Sequence, residues 1–248
     1  MKISVIGPGH LGKCLIKGLL RSGISGDDIS VYARRDEVCS EVADNFGVFA
    51  SSSLGDVVSR GEVIFIVIKS AGFEELFASL PSGALNGRVC VSFMAGVGLE
   101  RLSAALPGAE VVCAMPSIAI ESCSGITAYT SCPDAVADIF RSLGYAFEVA
   151  PDGIGRVMAF ASCGVGFAAY LMDAYVKAGI SMGFSVEESR KITAITFQNA
   201  LECGDFAKTV TAVATKGGAT EQGVLHMENA KLPETVYDAI MAAFNRMK

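Results

Sequence analysis

The chain has 248 residues, 51% of them apolar and 19% charged. That is enough hydrophobic material for a sizeable core and too little charge for a disordered polymer. Its net charge of −6, with no basic run, gives no reason to expect nucleic acid. The eight cysteines form no CxxC pair and have no histidine-rich partner set, so neither a disulfide framework nor a metal site is expected. Reduced core thiols in a cytoplasmic protein are the reading.

The opening stretch, MKISVIGPGHLG, organises the rest. Ile3, Val5 and Ile6 make a short apolar strand that leads into Gly7-x-Gly9-x-x-Gly12, and a helix is predicted from Leu11 to Arg21. Strand, glycine turn and helix in that order begin a dinucleotide-binding βαβ unit. Gly7 permits the tight turn, Gly9 lets the backbone approach a pyrophosphate, and Gly12 lets helix and strand pack closely. The helix start then offers free N–H groups to the phosphates. Pro8, His10 and Leu11 complete the expected cofactor-binding turn. The chain opens directly on this strand, with no signal-peptide pattern.

A second strand is predicted over 28–33, a helix over 36–46 and a brief strand over 48–50. EVIFIVIK, at 62–69, is an apolar β-branched run suited to the middle of a parallel sheet. A helix over 73–80 ends at Pro81. Strand 88–94, helix 99–106, strands 110–114 and 126–130, helix 133–143 with Pro at its start, and strand 145–149 follow. The alternation implies right-handed crossovers and a sheet covered on both faces.

The pattern changes at Pro151-Asp152-Gly153. Beyond it helices are predicted over 154–182, 186–203, 205–214, 220–229 and 232–247, separated by glycine-rich turns. The expected architecture is α/β: a Rossmann-type doubly wound dinucleotide-binding domain over 1–151, then an all-helical dimerisation domain over 152–248. Within the second, Val157–Met172 is uncharged between Arg156 and Asp173. It falls short of the roughly 18–20 apolar residues of a membrane span. Its Gly, Ala, Ser and Cys content suggests a buried helix packed closely on others, so no membrane is expected. A helical tail with this much apolar surface is expected to bury it against a second copy.

Cofactor choice rests on the end of the second strand. NAD sites place a carboxylate there for the ribose hydroxyls; this chain has Tyr32-Ala33-Arg34-Arg35. Two guanidiniums suit a 2′-phosphate, so NADPH is the expected cofactor. FAD is disfavoured by the room available. Ile68, Lys69, Ala95, Gly96, Met115, Pro116 and Ser117 lie at or just beyond strand ends and are expected to line the rest of the cofactor site. His10 and His226 have no Ser, Cys or carboxylate partner at a telling spacing and carry no acid–base role.

Several separated segments together resemble pyrroline-5-carboxylate reductase. They are GPGHLG, IVIKS at Ile66–Ser70, VSFMAGV at Val91–Val97, AMPS at Ala114–Ser117, SGITA at Ser124–Ala128, Cys163-Gly164, and Lys216-Gly217-Gly218-Ala219-Thr220. The chain departs from the family pattern at Ser70, Ser117, Val165, Lys216 and Glu221. The resemblance implies reduction of a cyclic imino acid to proline by hydride from NADPH, in a homodimer or higher oligomer. The site would lie between the nucleotide domain and a partner's helical domain. On the residues alone, Gly217–Thr220 reads more plainly as an interhelical turn with Thr220 as N-cap. With the resemblance, Gly217, Gly218, Ala219 and Thr220 are expected to bind substrate: backbone N–H groups and the helix start suit a carboxylate, and the resemblance gives the Thr220 hydroxyl the role of donor to the ring nitrogen. Lys216, not the family's usual residue, would add attraction, and Cys163 is expected in the same site. Glu221 reads as a first-turn charge that stabilises its helix, with a narrowed or changed substrate as the alternative. Two other functions stay open: a reductase of the same fold for another imine or oxo acid, and a non-catalytic NADPH-binding regulator.

Overall fold

The computed structural model describes residues 1–246. They divide into two compact units, one of Met1–Ser162 with the residues from Phe244 on, the other of Cys163–Ala243. The first unit holds an eight-stranded sheet: β1 (Ile3–Ile6), β2 (Ile29–Tyr32), β3 (Phe49–Ala50), β4 (Val63–Ile66), β5 (Val89–Ser92), β6 (Glu110–Pro116), β7 (Gly125–Tyr129) and β8 (Gly144–Glu148). The spatial order is β3-β2-β1-β4-β5-β6-β7-β8. The helices of this unit are α1 (His10–Arg21), α2 (Asp36–Phe46), α3 (Leu54–Arg60), α4 (Phe73–Ala78), α5 (Leu99–Ala105), α6 (Asp134–Ser142) and α7 (Gly153–Val157).

Both faces of the sheet are buried, as the continuous apolar strands require. Along β4, Val63 and Phe65 enter one core with Leu15, Leu19 and Phe140, while Ile64 and Ile66 enter the other with Phe73, Phe77 and Leu102. Phe65 meets Phe93 and Phe140 edge-on, at centroid distances of 5.5 and 6.3 Å. Burial on both faces makes the sequence runs of these strands continuously apolar, which is why they are readable.

Three features differ from expectation. Helix α3 was not predicted: SSSLGDVVSR looks like loop, yet Ser53 caps it by accepting the Asp56 N–H (3.1 Å), and Leu54, Val57 and Val58 bury one stripe. Strand β7 runs antiparallel to β6, not through a crossover. The connection has room only for a 3₁₀ turn, Ile118–Ser122, and a parallel return needs a dozen or more residues. The segment around Val157–Met172 is not buried within the chain. It is a π-helical turn over Met158–Ser162 followed by α8 (Cys163–Ser181), and Phe160 and Tyr170 are 71% and 76% exposed. The helix Gly153–Ser181, mean hydropathy 1.5, is long and apolar enough to cross a membrane by length and composition.

The composition changes at 151/152, but the compact first unit extends to Ser162. The Ser162 hydroxyl donates to the Pro116 carbonyl at 3.4 Å, tying the π turn to the end of β6.

The second unit comprises α8, α9 (Val186–Glu202), α10 (Phe206–Val213), α11 (Ala219–Asn229) and most of α12 (Leu232–Asn245). The final helix was predicted to reach 247, which lies outside the described residues. Helix α9 begins with a capping box: Ser185 accepts the Glu188 N–H, and Glu188 accepts the Ser185 N–H. Gly179 lets α8 approach Ser189 on α9, and Tyr175 meets Phe197 edge-on at 5.2 Å. Among the described residues of this unit only Ser189 and Thr193 are buried; its large apolar side chains are not.

Candidate active site

Strand β1 lies between β2 and β4, the point at which the strand order reverses and a crevice opens beyond the strand ends. The glycine turn fills that position. Gly7 has φ +92°, and a Cβ there would lie 2.5 Å from Ile68 Cγ2 and 2.6 Å from the Val67 carbonyl oxygen. A Cβ on Gly12 would lie 2.6 Å from the Gly7 carbonyl oxygen. These two glycines are therefore required by the fold itself. Gly9 is different: a Cβ there meets nothing within 4 Å, so internal packing makes no demand for glycine at this N-cap. Helix α1 has no side-chain cap and no acid in its first turn. Its first N–H groups, at His10, Leu11 and Gly12, have no acceptor within the helix.

A cavity of about 690 Å³ opens on this turn. Gly7, Pro8, Gly9, Ala33, Arg34, Arg35, Ile68 and Lys69, all predicted for the cofactor, line it. Arg34, Arg35 and Lys69 are exposed, none makes an ion pair among the described residues, and no acid lines the cavity. A chain of net charge −6 thus concentrates three unpaired cations around one hollow. Just before the arginines, the Ala33 N–H donates to Cys39 Sγ at 2.9 Å. Burial raises the Cys39 pKa and keeps it a neutral thiol.

The structure separates the other predicted cofactor residues. Gly96 and Met115 line a second cavity of about 420 Å³, with Val97, Gly98 and Arg156. Ala95 lies in the loop after β5 and Pro116 ends β6. Ser117 is committed to the β6–β7 turn: its N–H donates to the Ile126 carbonyl (2.8 Å) and its Oγ accepts the Ile126 N–H (3.0 Å). Sequence reasoning missed Ala71 and Gly72 in the first cavity. The clue was a glycine before the acid-led helix Phe73-Glu74-Glu75, where Gly72 takes φ +75° as N-cap of α4.

In the second unit the turn before α11 is built by two glycines. Gly217 has φ +74°, and a Cβ on Gly218 would lie 2.5 Å from Thr215 Oγ1. The N-cap of α11 is Gly218, which rules out the alternative of Thr220 as cap. Thr220 stands in the first turn, exposed, and its hydroxyl makes no hydrogen bond among the described residues. Lys216 is exposed with no ion pair among the described residues, and the Gly217 N–H donates to Glu221 Oε2 at 2.7 Å. Cys163 is half-buried at the start of α8.

Comparison with known proteins bears on both units. Residues 2–96 match a family model described as NADP oxidoreductase coenzyme F420-dependent. Residues 151–248 match the pyrroline-5-carboxylate reductase dimerisation model. The second unit thus matches the dimerisation region of pyrroline-5-carboxylate reductases, and the chain is similar along nearly its whole length to members of that family. A member from Escherichia coli is 26% identical over 96% of this chain and 94% of its own length. One from Dictyostelium discoideum is 24% identical over 98% of this chain, which spans about half (49%) of that longer relative. The solved structure of a Plasmodium falciparum pyrroline carboxylate reductase with NADP bound shares the fold. It matches at TM-score 0.91 and 20% identity, covering 100% of this chain and 97% of that one.

Proposed function

We propose that this chain reduces pyrroline-5-carboxylate to proline with NADPH, as an NADPH-dependent oxidoreductase of proline biosynthesis. The observation that carries the reading is the uncommitted Thr220 hydroxyl on the amide-rich turn before α11, in a chain whose other unit offers a cation-rimmed cavity on a dinucleotide turn. The names of the relatives support the same reaction.

In this reading the residues of the turn at 7–12 hold the pyrophosphate, and Arg34 and Arg35 fork onto the 2′-phosphate. The open side of Gly9, where a Cβ would meet nothing within 4 Å, leaves room for a phosphate to approach the backbone. Bound there, the dinucleotide supplies a hydride. The remaining work is positioning. Backbone N–H groups at the start of α11, with Lys216, bind the substrate carboxylate, and Thr220 donates a hydrogen bond to the imine nitrogen. That bond draws electron density from the C=N carbon as it accepts hydride, and the nitrogen gains a proton from solvent as it becomes an amine.

The second unit leaves its large apolar side chains outside any core of its own, which supports a homodimer built through this unit rather than a membrane span. All eight cysteines are free, in keeping with a cytoplasmic enzyme.

The test is steady-state NADPH oxidation with pyrroline-5-carboxylate beside a panel of other cyclic imines. Turnover greatest with pyrroline-5-carboxylate is expected. Turnover confined to other imines would move the chain to another substrate, and tight NADPH binding without oxidation of any would make it a regulator.

A further inference from the structure

The amides of the Gly217–Thr220 turn are not all free. The Gly218 N–H donates to the Thr215 carbonyl at 2.8 Å, and the Gly217 N–H donates to Glu221 Oε2 at 2.7 Å. The first N–H to find an acceptor in the helix ladder is that of Gln222, on the Gly218 carbonyl (3.2 Å). The N–H groups of Ala219, Thr220 and Glu221 therefore remain for a ligand. Glu221 is the third residue of α11, from which a glutamate commonly reaches back to the N-cap amide. Here the cap amide is taken by Thr215, and the carboxylate reaches one residue further, to Gly217.

We propose that Glu221 is an internal competitor for the carboxylate position of the turn and thereby sets the affinity for the acidic substrate and product. This rests on the reading of the turn as the substrate's carboxylate site. An incoming carboxylate needs the same helix start, and it meets a negative charge already hydrogen-bonded there. To bind, it displaces Glu221 from the Gly217 N–H or accepts the remaining amides beside a like charge; either weakens binding. Lys216, next to Gly217, offsets part of the repulsion. A ring without a carboxylate makes no claim on these amides, so Glu221 offers it no competition. The residue is thus a specificity element: it lowers the advantage that a carboxylate gives to a cyclic ligand.

The test compares proline with pyrrolidine, the same ring without the carboxylate, by calorimetric titration at saturating NADP+. It uses the full chain and two variants. Glu221→Gln removes the charge and keeps an acceptor for Gly217; Glu221→Leu removes both. The expected result is that proline binds about 3- to 20-fold tighter to Glu221→Gln, and at least as much tighter to Glu221→Leu, while pyrrolidine, a cation without a carboxylate, binds no tighter to either. The range is modest because the contact is solvent-exposed. A proline-to-pyrrolidine ratio equal in all three proteins would overturn the proposal while leaving the turn as the substrate site. Equal changes for both ligands would reduce Glu221 to a prop for the helix and overturn it too. Failure of all three proteins to bind proline would overturn the underlying reading of the turn, and this proposal with it.

Discussion

Thr220→Val lowers the turnover number by about 10- to 1,000-fold and leaves NADPH affinity nearly unchanged. Valine keeps the β-branched shape and a similar helix propensity, so the substitution subtracts a hydroxyl and little else. That hydroxyl supports nothing in the fold: Gly218 is the N-cap of α11, and Thr220 makes no hydrogen bond among the described residues. Folding should therefore be indifferent to its loss, while the imine nitrogen loses its donor as the carbon accepts hydride. A hydroxyl that polarises the bond is worth less than a strong general acid, hence the width of the range. Turnover and NADPH affinity measured side by side decide the matter. An unchanged turnover number would remove Thr220 from the chemistry.

The second large effect is on cofactor choice. Arg34→Ala with Arg35→Ala should weaken NADPH binding by about 10- to 100-fold and NADH binding by no more than about twofold. Both guanidiniums line the cavity and have no ion pair among the described residues, so their removal strands no carboxylate and costs little stability. The loss should shrink as salt rises, because the exposed contact is screened. Fluorescence titration with each nucleotide measures both affinities. Equal weakening of the two would show that the pair does not read the 2′-phosphate.

How much of this the sequence disclosed depends on which force fixed each element. Where local sterics and burial decide, the reading came through. Gly7 and Gly12 are demanded by backbone atoms in contact with them. Strand β4 announces itself because all four of its residues are buried. Helix α2 runs over the predicted Asp36–Phe46, between an acidic first turn and Gly47 in the left-handed conformation. Where a distant partner decides, the reading failed. Helix α3 is only seven residues long and carries a glycine, and what holds it is the burial of Leu54, Val57 and Val58 under the sheet. The direction of β7 depends on Ser117 and Ile126 closing a turn, with Cys123 at φ +54°. The apolar character of α8 was plain from composition, but composition says that surface will be covered and not by what.

The two parts of the candidate site divide along the same line. The dinucleotide turn and the arginine pair sit within one βαβ unit, so spacing along the chain carries their geometry. Residues 95–96 and 115–117 come from separate strand ends, and the structure sends them to different places: Gly96 and Met115 to a second cavity, Ser117 into a structural turn. Glu221 was legible as a first-turn charge. Its bond to Gly217 was not, because it depends on Gly217 taking φ +74° and on Thr215 claiming the neighbouring amide.

The central claim is that hydride passes from the dinucleotide to the C=N carbon of pyrroline-5-carboxylate. NADPH carrying deuterium at the transferring position of the nicotinamide, incubated with the protein and pyrroline-5-carboxylate, tests it by mass spectrometry of the product. The account predicts proline bearing the deuterium on the former imine carbon, formed mole for mole with the NADPH consumed. Unlabelled proline, or no proline at saturating concentrations of both ligands, would contradict it.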